Sequence, residues 1–232
     1  MVTTLALLVL GIGFDTYGPW WAQHVISVLT WSTFALLVAC ERGRSRWELL
    51  ACLVIAGAGE YGLGNVVGLW EYRLGNLPLY IPPGHALVFA SGLRMARHAP
   101  RWLPWFVPAV LTPYAIWGLV TGVDQAAAFL LALLVACLAF GRDKCLYAAM
   151  FPFAMAIEVW GTSIGGWTYA AQWFGAATTN PPVGAPALYC LLDVLVLGAV
   201  GLAYKIARTR SSTACDENQT PLNADPVSRA PR

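Results

Sequence analysis

The stretch on which the interpretation of this chain depends is EVWGTSIGGWTY, which runs from Glu158 to Tyr169. A related stretch, EYGLGNVVGLWEY, runs from Glu60 to Tyr72. Both contain the pattern G-[NT]-x-[VI]-G-x-W-x-Y, at an offset of 97 residues, with a glutamate about one helical turn upstream. An ionisable residue inside an apolar helix is costly, so each glutamate marks a candidate functional site.

The composition around these stretches is that of a membrane protein. Of the 232 residues, 58% are hydrophobic and 11% are charged, and the mean hydropathy is +0.61. A soluble domain carries about 25% charged residues, so a polytopic transmembrane helical bundle, all-α, is predicted. The net charge of +2 gives no indication of a nucleic-acid partner.

Apolar runs predict about eight membrane spans. They lie near residues 2–14, 22–40, 47–68, 80–93, 102–121, 125–140, 145–165 and 183–204. With eight spans, nearly all Lys and Arg residues fall on one side and only Arg73 falls on the other. The positive-inside rule then predicts a multi-pass protein of the inner (plasma) membrane with both termini cytoplasmic. Because the first span is short, a seven-span arrangement stays open.

Internal similarity predicts two parallel four-helix repeats. The segment ALLVAC occurs at 35–40 and again at 132–137, at the same offset of 97 residues as the glycine and aromatic pattern. We expect a first repeat over 1–101, a second over 102–206 and a disordered cytoplasmic tail over 207–232. An even number of spans per repeat gives both the same orientation, with a pseudo-twofold axis along the membrane normal.

The predicted catalytic residues are the intramembrane acids Glu60, Glu158 and Asp193. Both glutamates lie roughly 20 Å into the bilayer from the cytoplasmic edge, at 1.5 Å per residue. We expect one of them to be protonated, since an apolar interior disfavours the charged form, and such a group can act as a general acid. The glutamates are 98 residues apart, so a one-residue slip separates them from their motifs unless a π-bulge absorbs it.

Aromatic and polar side chains near the acids are predicted to bind substrate. His85 is the only basic titratable group expected at this depth. The Trp and Tyr residues of the two motifs fit either an interfacial aromatic belt or the wall of an apolar cavity that stabilises a cation. The motif glycines are interpreted as points of close helix packing. The predicted substrate-binding residues are Trp70, Tyr72, His85, Trp160, Thr162, Trp167, Tyr169 and Asn180.

No sequence feature predicts a metal or a cofactor. The six cysteines show neither C-x-x-C nor ligand spacing with histidine, and they are interpreted as small apolar residues. Motifs for phosphate binding, for a serine nucleophile and for a zinc protease are missing from the sequence. The expected partners are membrane lipid and a lipid-soluble small molecule, and the sequence does not indicate an oligomeric state.

The two motif stretches, with Pro78 and Ile81-Pro82 after the first, resemble the carotenoid-biosynthesis membrane family, which includes carotenoid 1,2-hydratases. The comparable stretch of that family looks like E-x-x-G-T-x-x-G followed by an aromatic segment ending in Tyr and a proline-containing helix start. This sequence differs in carrying the motif in both halves. The resemblance implies hydration or cyclisation of an isoprenoid alkene.

Three functions are compatible with the residues. The first is a membrane enzyme acting on a lipid-soluble isoprenoid or polyene by carboxylate acid–base chemistry, as a hydratase, cyclase or isomerase. The second is a small proton- or cation-coupled transporter, in which the acids at the repeat interface bind the coupling ion. The third is a non-catalytic membrane scaffold whose polar motif serves packing.

Overall fold

The protein is built almost entirely of helices over residues 2–217, the part of the chain that the computed structural model describes. This architecture confirms the prediction of an all-α fold. A π-helix, Glu60–Val66, continues the third α-helix without a break. The α-helices are α1 Val2–Tyr17, α2 Ala22–Cys40, α3 Arg44–Gly59, α4 Ile81–Ala96, α5 Leu103–Thr121, α6 Ala126–Phe140, α7 Lys144–Ser163 and α8 Pro186–Glu217.

Five helices are long and apolar enough to cross a membrane by length and composition, which indicates a membrane protein. They cover Ala22–Cys40, Arg44–Val66, Leu103–Thr121, Lys144–Ser163 and Pro186–Thr209. The apolar helices Ala6–Tyr17 and Ala126–Phe140 are shorter. Large apolar side chains, among them Trp105, Val120 and Phe140, are exposed on the outer helices, as expected for a surface that faces lipid.

Four helices form the centre of the bundle. α3 packs against α4 and α8, and α7 packs against the same two helices, so that the four close a ring. The pair α1–α2 lies against α4, while α5–α6 lies against α7 and α8. The buried core between them includes Phe89, Leu134, Tyr147, Met150 and Val196. The motif-bearing helices α3 and α7 are therefore both central.

A short antiparallel ribbon joins the two motifs. Strand β1, Trp70–Tyr72, pairs with strand β2, Trp167–Tyr169, so that Trp70 lies opposite Tyr169 and Tyr72 lies opposite Trp167. Glycines with positive φ, Gly68 (+76°) and Gly165 (+81°), precede the strands where the helices end. A second hairpin, β3 Gln172–Trp173 with β4 Ala176–Ala177, follows directly.

Two buried aspartates anchor the chain before α4 and α8. Asp15 accepts a hydrogen bond from the Tyr80 hydroxyl (2.8 Å), and Asp124 accepts bonds from the Thr179 hydroxyl (2.9 Å) and the Val183 amide (3.2 Å). Both carboxylates are buried, so they are structural contacts rather than solvated turn residues. Burial, and then the Asp15 charge, raise the pKa of Tyr80, which stays a hydrogen-bond donor.

The first part of the segment predicted to be a disordered tail is helical. Helix α8 continues through Glu217, so residues 207–217 are helical. The remainder of the expected tail, 218–232, lies outside the described residues.

Candidate functional site: two buried glutamates beneath an aromatic ribbon

Glu60 is held by three side chains of the first half of the chain. Its Oε2 atom accepts hydrogen bonds from Trp70 Nε1 (3.1 Å) and from the Tyr72 hydroxyl (2.7 Å). Its Oε1 atom lies 2.8 Å from His85 Nε2 on α4. Glu60 is 9% exposed, so these three partners take the place of water around the carboxyl group.

Glu158 has the same arrangement in the second half. Its Oε2 atom accepts from Trp167 Nε1 (2.9 Å) and the Tyr169 hydroxyl (2.7 Å). Its Oε1 atom accepts from the Tyr189 hydroxyl on α8 (2.8 Å). Glu158 is 3% exposed. Equivalent motif residues therefore make equivalent contacts, and the partner of Oε1 is the one that differs.

The π-helix explains how the one-residue slip leaves this geometry intact. Glu60 precedes Trp70 by ten residues, whereas Glu158 precedes Trp167 by nine. The extra residue falls in the first motif, where the π-helix Glu60–Val66 uses wider i→i+5 bonding. This segment is the π-bulge that the sequence analysis named as the alternative to a rotated side chain, and each glutamate reaches its own Trp and Tyr.

The ribbon turns four aromatic side chains toward the glutamates. Successive residues of a strand point to opposite faces, so Trp70 and Tyr72 face inward while Glu71 is exposed. The ring centroids of Trp70 and Tyr169 are 5.9 Å apart, and those of Tyr72 and Trp167 are 6.2 Å apart. The first contact is edge-on and the second is tilted, and together they place four aromatic rings beside the two carboxyl groups.

Both glutamates line one cavity of about 200 Å³. Apart from the acids and their partners, its wall is mainly aliphatic, with side chains such as Leu7, Ile55 and Leu192 from α1, α3 and α8. Another lining residue, Leu195, is 47% exposed, so the cavity reaches the outer surface of the bundle beside α8. The site is thus an apolar chamber with its polar groups collected beneath the ribbon.

The two halves meet at a ring contact inside this chamber. The imidazole of His85 and the ring of Tyr189 have centroids 4.9 Å apart. Each of these rings also contacts a different glutamate, so a chain of contacts runs from Glu60 through His85 and Tyr189 to Glu158. The Nδ1 atom of His85 is buried and has no hydrogen-bond partner within residues 2–217.

The ribbon tyrosines are held in their neutral form. Burial, followed by the neighbouring Glu60 carboxylate, raises the pKa of Tyr72 well above its ordinary value. Burial and then Glu158 do the same to the pKa of Tyr169. Both hydroxyls therefore remain donors to the glutamates throughout the physiological pH range.

Most of the predicted site residues lie together. Seven of the eleven predicted site residues line the cavity: Glu60, Glu158, Trp70, Tyr72, His85, Trp167 and Tyr169.

Four predicted site residues lie elsewhere. Asp193 is 1% exposed and sits one turn beyond Tyr189 on α8, outside the cavity wall. Trp160 donates to the Val9 carbonyl of α1 (3.1 Å), and the Thr162 hydroxyl donates to the Glu158 carbonyl (2.7 Å). Asn180 accepts from the Tyr169 amide (3.0 Å), so it supports the ribbon from outside.

Tyr189 is a site residue that the sequence interpretation missed. It was available from the spacing Pro82-x-x-His85, which recurs as Pro186-x-x-Tyr189 at the start of α8. The other proline pair that resembles Pro82-Pro83, Pro181-Pro182, lies before α8 and does not lead to Tyr189.

Two of the motif glycines pack against the tryptophan side chains of their own motifs. A Cβ at Gly161 would overlap the ring of Trp167, and a Cβ at Gly64 would lie 2.9 Å from Trp70 Nε1. At Gly64 and Gly161, the expected close packing between helix backbones is replaced by packing of the glycine against the Trp of its own motif, while Gly68 and Gly165 are the positive-φ residues before the strands. The glycines therefore give the Trp rings room to reach the glutamates.

Neither the sequence nor the fold leads to a known relative. No family model, curated protein or solved structure matches this chain. Within residues 2–217, no group of three or more His, Cys, Asp and Glu side chains is placed to hold a metal ion. The chemistry of the site is therefore argued from the glutamates, their hydrogen-bond partners and the cavity.

Proposed function

We propose that this protein is an integral membrane enzyme that acts on a lipid-soluble isoprenoid or polyene by carboxylate acid–base chemistry, as a hydratase, cyclase or isomerase. The observation that carries the proposal is the single apolar cavity into which Glu60, His85 and Glu158 all project. The motif resemblance to carotenoid 1,2-hydratases agrees with this class of reaction.

The arrangement suits a reaction that passes through a carbocation. A protonated acid adds its proton to a carbon–carbon double bond, and the resulting cation is captured by water or by a second double bond, or loses a different proton. Carboxylates and aromatic faces stabilise a cation in a dry site, where electrostatic interactions are strong. Trp70, Tyr72, Trp167 and Tyr169 provide these faces along the cavity wall.

The cavity favours a substrate that inserts only one end. At about 200 Å³ it is smaller than the roughly 300–1,000 Å³ of pockets that enclose a whole drug-sized ligand. The surface opening at Leu195 lies on a helix long enough to span the membrane, where the remainder of an extended apolar molecule can stay in lipid. A terminal double bond would then meet the acids beneath the ribbon.

The proposal includes the finer membrane arrangement. We infer eight spans in two parallel four-helix repeats, in an inner membrane, with both termini cytoplasmic. The equivalent hydrogen bonds of the two motifs and the antiparallel pairing of β1 with β2 support a pseudo-twofold relation. Reactivity of single introduced cysteines toward a membrane-impermeant reagent, placed in the loops at Gly43 and Gly75, tests the orientation.

A second candidate function is proton-coupled transport. The observation that favours it is Asp193, whose buried Oδ2 atom has no hydrogen-bond partner among the described residues. Tyr189 and Asp193 are four residues apart on α8 and so lie on the same helix face. A buried carboxyl on the same face of α8 as Tyr189 is a candidate second site for a transported proton.

Expression in a host that accumulates acyclic polyenes distinguishes the two. If the protein is an enzyme, mass analysis of the lipid extract shows a product heavier by one water or an isomer of altered retention. Glu60→Gln and Glu158→Gln each abolish the product, while Glu71→Gln, at an exposed position of the same ribbon, keeps it.

The protein's level in the membrane is measured for every variant so that loss of folding is not read as loss of catalysis. If both glutamate variants retain full product, the site assignment is wrong. If no product forms and purified vesicles instead show proton-driven uptake that requires Asp193, transport replaces catalysis as the function.

A further inference from the structure

The two halves of the site differ at one position. Each glutamate accepts from a Trp and a Tyr of its own strand through Oε2. The third partner is His85 for Glu60 and Tyr189 for Glu158. These side chains occur at the same place after the helix-starting prolines of α4 and α8 and contact one another. The chemical difference between histidine and tyrosine therefore distinguishes the roles of the two acids.

The polar partners of Glu158 all stabilise its carboxylate form. All three polar partners of its side chain are neutral donors: an indole N–H and two tyrosine hydroxyls. Hydrogen bonds donated to a carboxylate stabilise its charged form. A protonated Glu158 would have to reverse one of these bonds, with a tyrosine hydroxyl accepting from the acid instead of donating to it. The three partners of this shell include no basic side chain that could receive a proton from Glu158.

The surroundings of Glu60 allow a proton to move. His85 Nε2 lies 2.8 Å from Glu60 Oε1, a distance at which one proton can reside on either atom. Histidine is the side chain whose ordinary titration falls near neutral pH. Since the Nδ1 atom of His85 has no partner within residues 2–217, the position of the ring proton is set at Nε2 alone, by the contact with Glu60.

We propose that the Glu60–His85 pair is the proton-transferring half of this site and that Glu158 is a fixed anion which stabilises the cation. This division of roles rests on the proposed function. His85 is then a catalytic residue that exchanges a proton with the reacting atoms, and Tyr189 is a positioning residue that holds Glu158 charged.

The reaction balances without any further reagent than water. The pair gives one proton to an alkene carbon, whose π electrons form the new C–H bond, and the neighbouring carbon becomes a cation between the two carboxylates. For hydration, a lone pair of water forms the C–O bond, and the surplus proton of that water returns to the pair. For isomerisation or cyclisation, a proton lost from another carbon returns instead, and the pair is restored.

The other titratable groups that face the Glu60–His85 pair across the cavity are four tyrosines and Glu158. The titratable groups that line the cavity with the pair are Tyr72 from β1, Tyr80 before α4, Glu158 from α7, Tyr169 from β2 and Tyr189 from α8. Helices α1 and α2 contribute only aliphatic side chains and Thr30 to the cavity wall, and α3 contributes no titratable residue apart from Glu60, which directly follows it.

The first test reads protonation directly. The full-length protein in lipid vesicles is titrated while the infrared C=O stretch of protonated carboxyl groups is recorded. An Asp193→Asn background removes the buried acid that has an oxygen without a hydrogen-bond partner among the described residues. We expect a C=O band whose intensity changes with pH. This band should be lost in Glu60→Gln and kept in Glu158→Gln. His85→Tyr, which copies the second half, shifts the midpoint of this band, whereas His98→Gln at an exposed position does not.

A band lost in Glu158→Gln and kept in Glu60→Gln overturns the proposal, and so does the lack of any band that depends on Glu60. Because a glutamine side chain still offers an amide oxygen to Trp70 and Tyr72, both variants are expected to fold, and a monodisperse elution profile checks this. If Glu60→Gln fails to fold, the midpoint shift in His85→Tyr carries the test.

The second test separates this proposal from the function itself. Vesicles containing an acyclic polyisoprenoid hydrocarbon are incubated in deuterium oxide, and deuterium in the recovered hydrocarbon and its products is measured. Loss of a general acid lowers rates by about 10²–10⁴, so we expect at least a hundredfold decrease in His85→Tyr. If the infrared result is as expected but the unmodified protein incorporates no deuterium, the proposed function is rejected. The location of the mobile proton is then still established.

Discussion

Gly161→Ala tests whether the aromatic ribbon positions the glutamates. The added Cβ overlaps the six-membered ring of Trp167 at three carbon atoms, and Gly161 is buried within α7. The ring cannot stay where it is, because its Nε1 donates to Glu158 at 2.9 Å and its strand is paired with β1. Either the Trp167 ring leaves Glu158, or the ribbon moves away from α7.

The structure sets the expected magnitude. Loss of a hydrogen bond to a charged group costs about 1.5–3 kcal/mol, and overpacking a buried site costs about 1–3 kcal/mol. Since both arise from one displacement of the ring, we expect Gly161→Ala to lower the free energy of unfolding by about 3 kcal/mol. The equivalent Gly64→Ala brings its Cβ to 2.9 Å from Trp70 Nε1, a milder overlap. We expect it to cost about 1 kcal/mol, near the lower end of overpacking.

The assay is reversible unfolding in mixed micelles, followed by tryptophan fluorescence, for both variants and for Gly198→Ala. The last position lies on α8 with nothing within 4 Å of the added Cβ, so it reports the effect of an alanine in a helix alone. Trp167→Phe, which removes the indole N–H, completes the comparison. Its decrease in the free energy of unfolding should not add to that of Gly161→Ala when the two substitutions are combined. If Gly161→Ala is as stable as Gly198→Ala, the ring is not confined as described.

Three further predictions concern the contacts around the site. Because burial raises the pKa of Tyr72 and Tyr169, their neutral forms contribute stability that is complete below the unfolded value of about 10 and is lost as pH rises above it. An alkaline titration should therefore show their tyrosinate absorbance only as the protein unfolds, and absorbance while it stays folded contradicts this. Asp124→Asn should lower the free energy of unfolding by about 2 kcal/mol, since the charge that accepts bonds from Thr179 and Val183 is removed; chemical denaturation measures it. Trp173→Phe, which loses the bond to the Leu69 carbonyl, should cost about 1 kcal/mol in the same assay.

Glu60 and Glu158, at the centre of this site, could be predicted from the sequence because they lie in apolar surroundings. In a chain with 11% charged residues, a glutamate inside a helix is conspicuous, and a repeated Trp-x-Tyr at fixed spacing predicts a shared geometry. Helices and their order follow from long apolar runs interrupted by Gly, Pro and basic residues. His85 was identifiable because it is the only histidine within an apolar helix at that depth.

Other features depend on contacts that spacing does not reveal. Tyr189 is one of nine tyrosines and looks like any other aromatic residue near a helix start. Asp193, like the glutamates, is an acid in an apolar helix, but its place on α8 puts it outside the cavity. Trp160 follows Glu158 by two residues and so points to another face of the helix, where it contacts α1. Whether an intramembrane polar residue joins a site is decided by its angle around the helix and by the neighbouring helix.

The contacts between the Glu60 shell and the Glu158 shell show at which residue the two acids can differ. Each carboxyl group takes all of its hydrogen-bond partners from its own half, so each half builds a complete shell. The ribbon fixes the two shells relative to each other through backbone pairing, which does not depend on side-chain identity. At the His85–Tyr189 contact, by contrast, a change of side chain alters one acid without disturbing the backbone of either half. In the proposed division of roles, this one difference lets two otherwise equivalent shells supply a proton on one side of the cavity and a negative charge on the other.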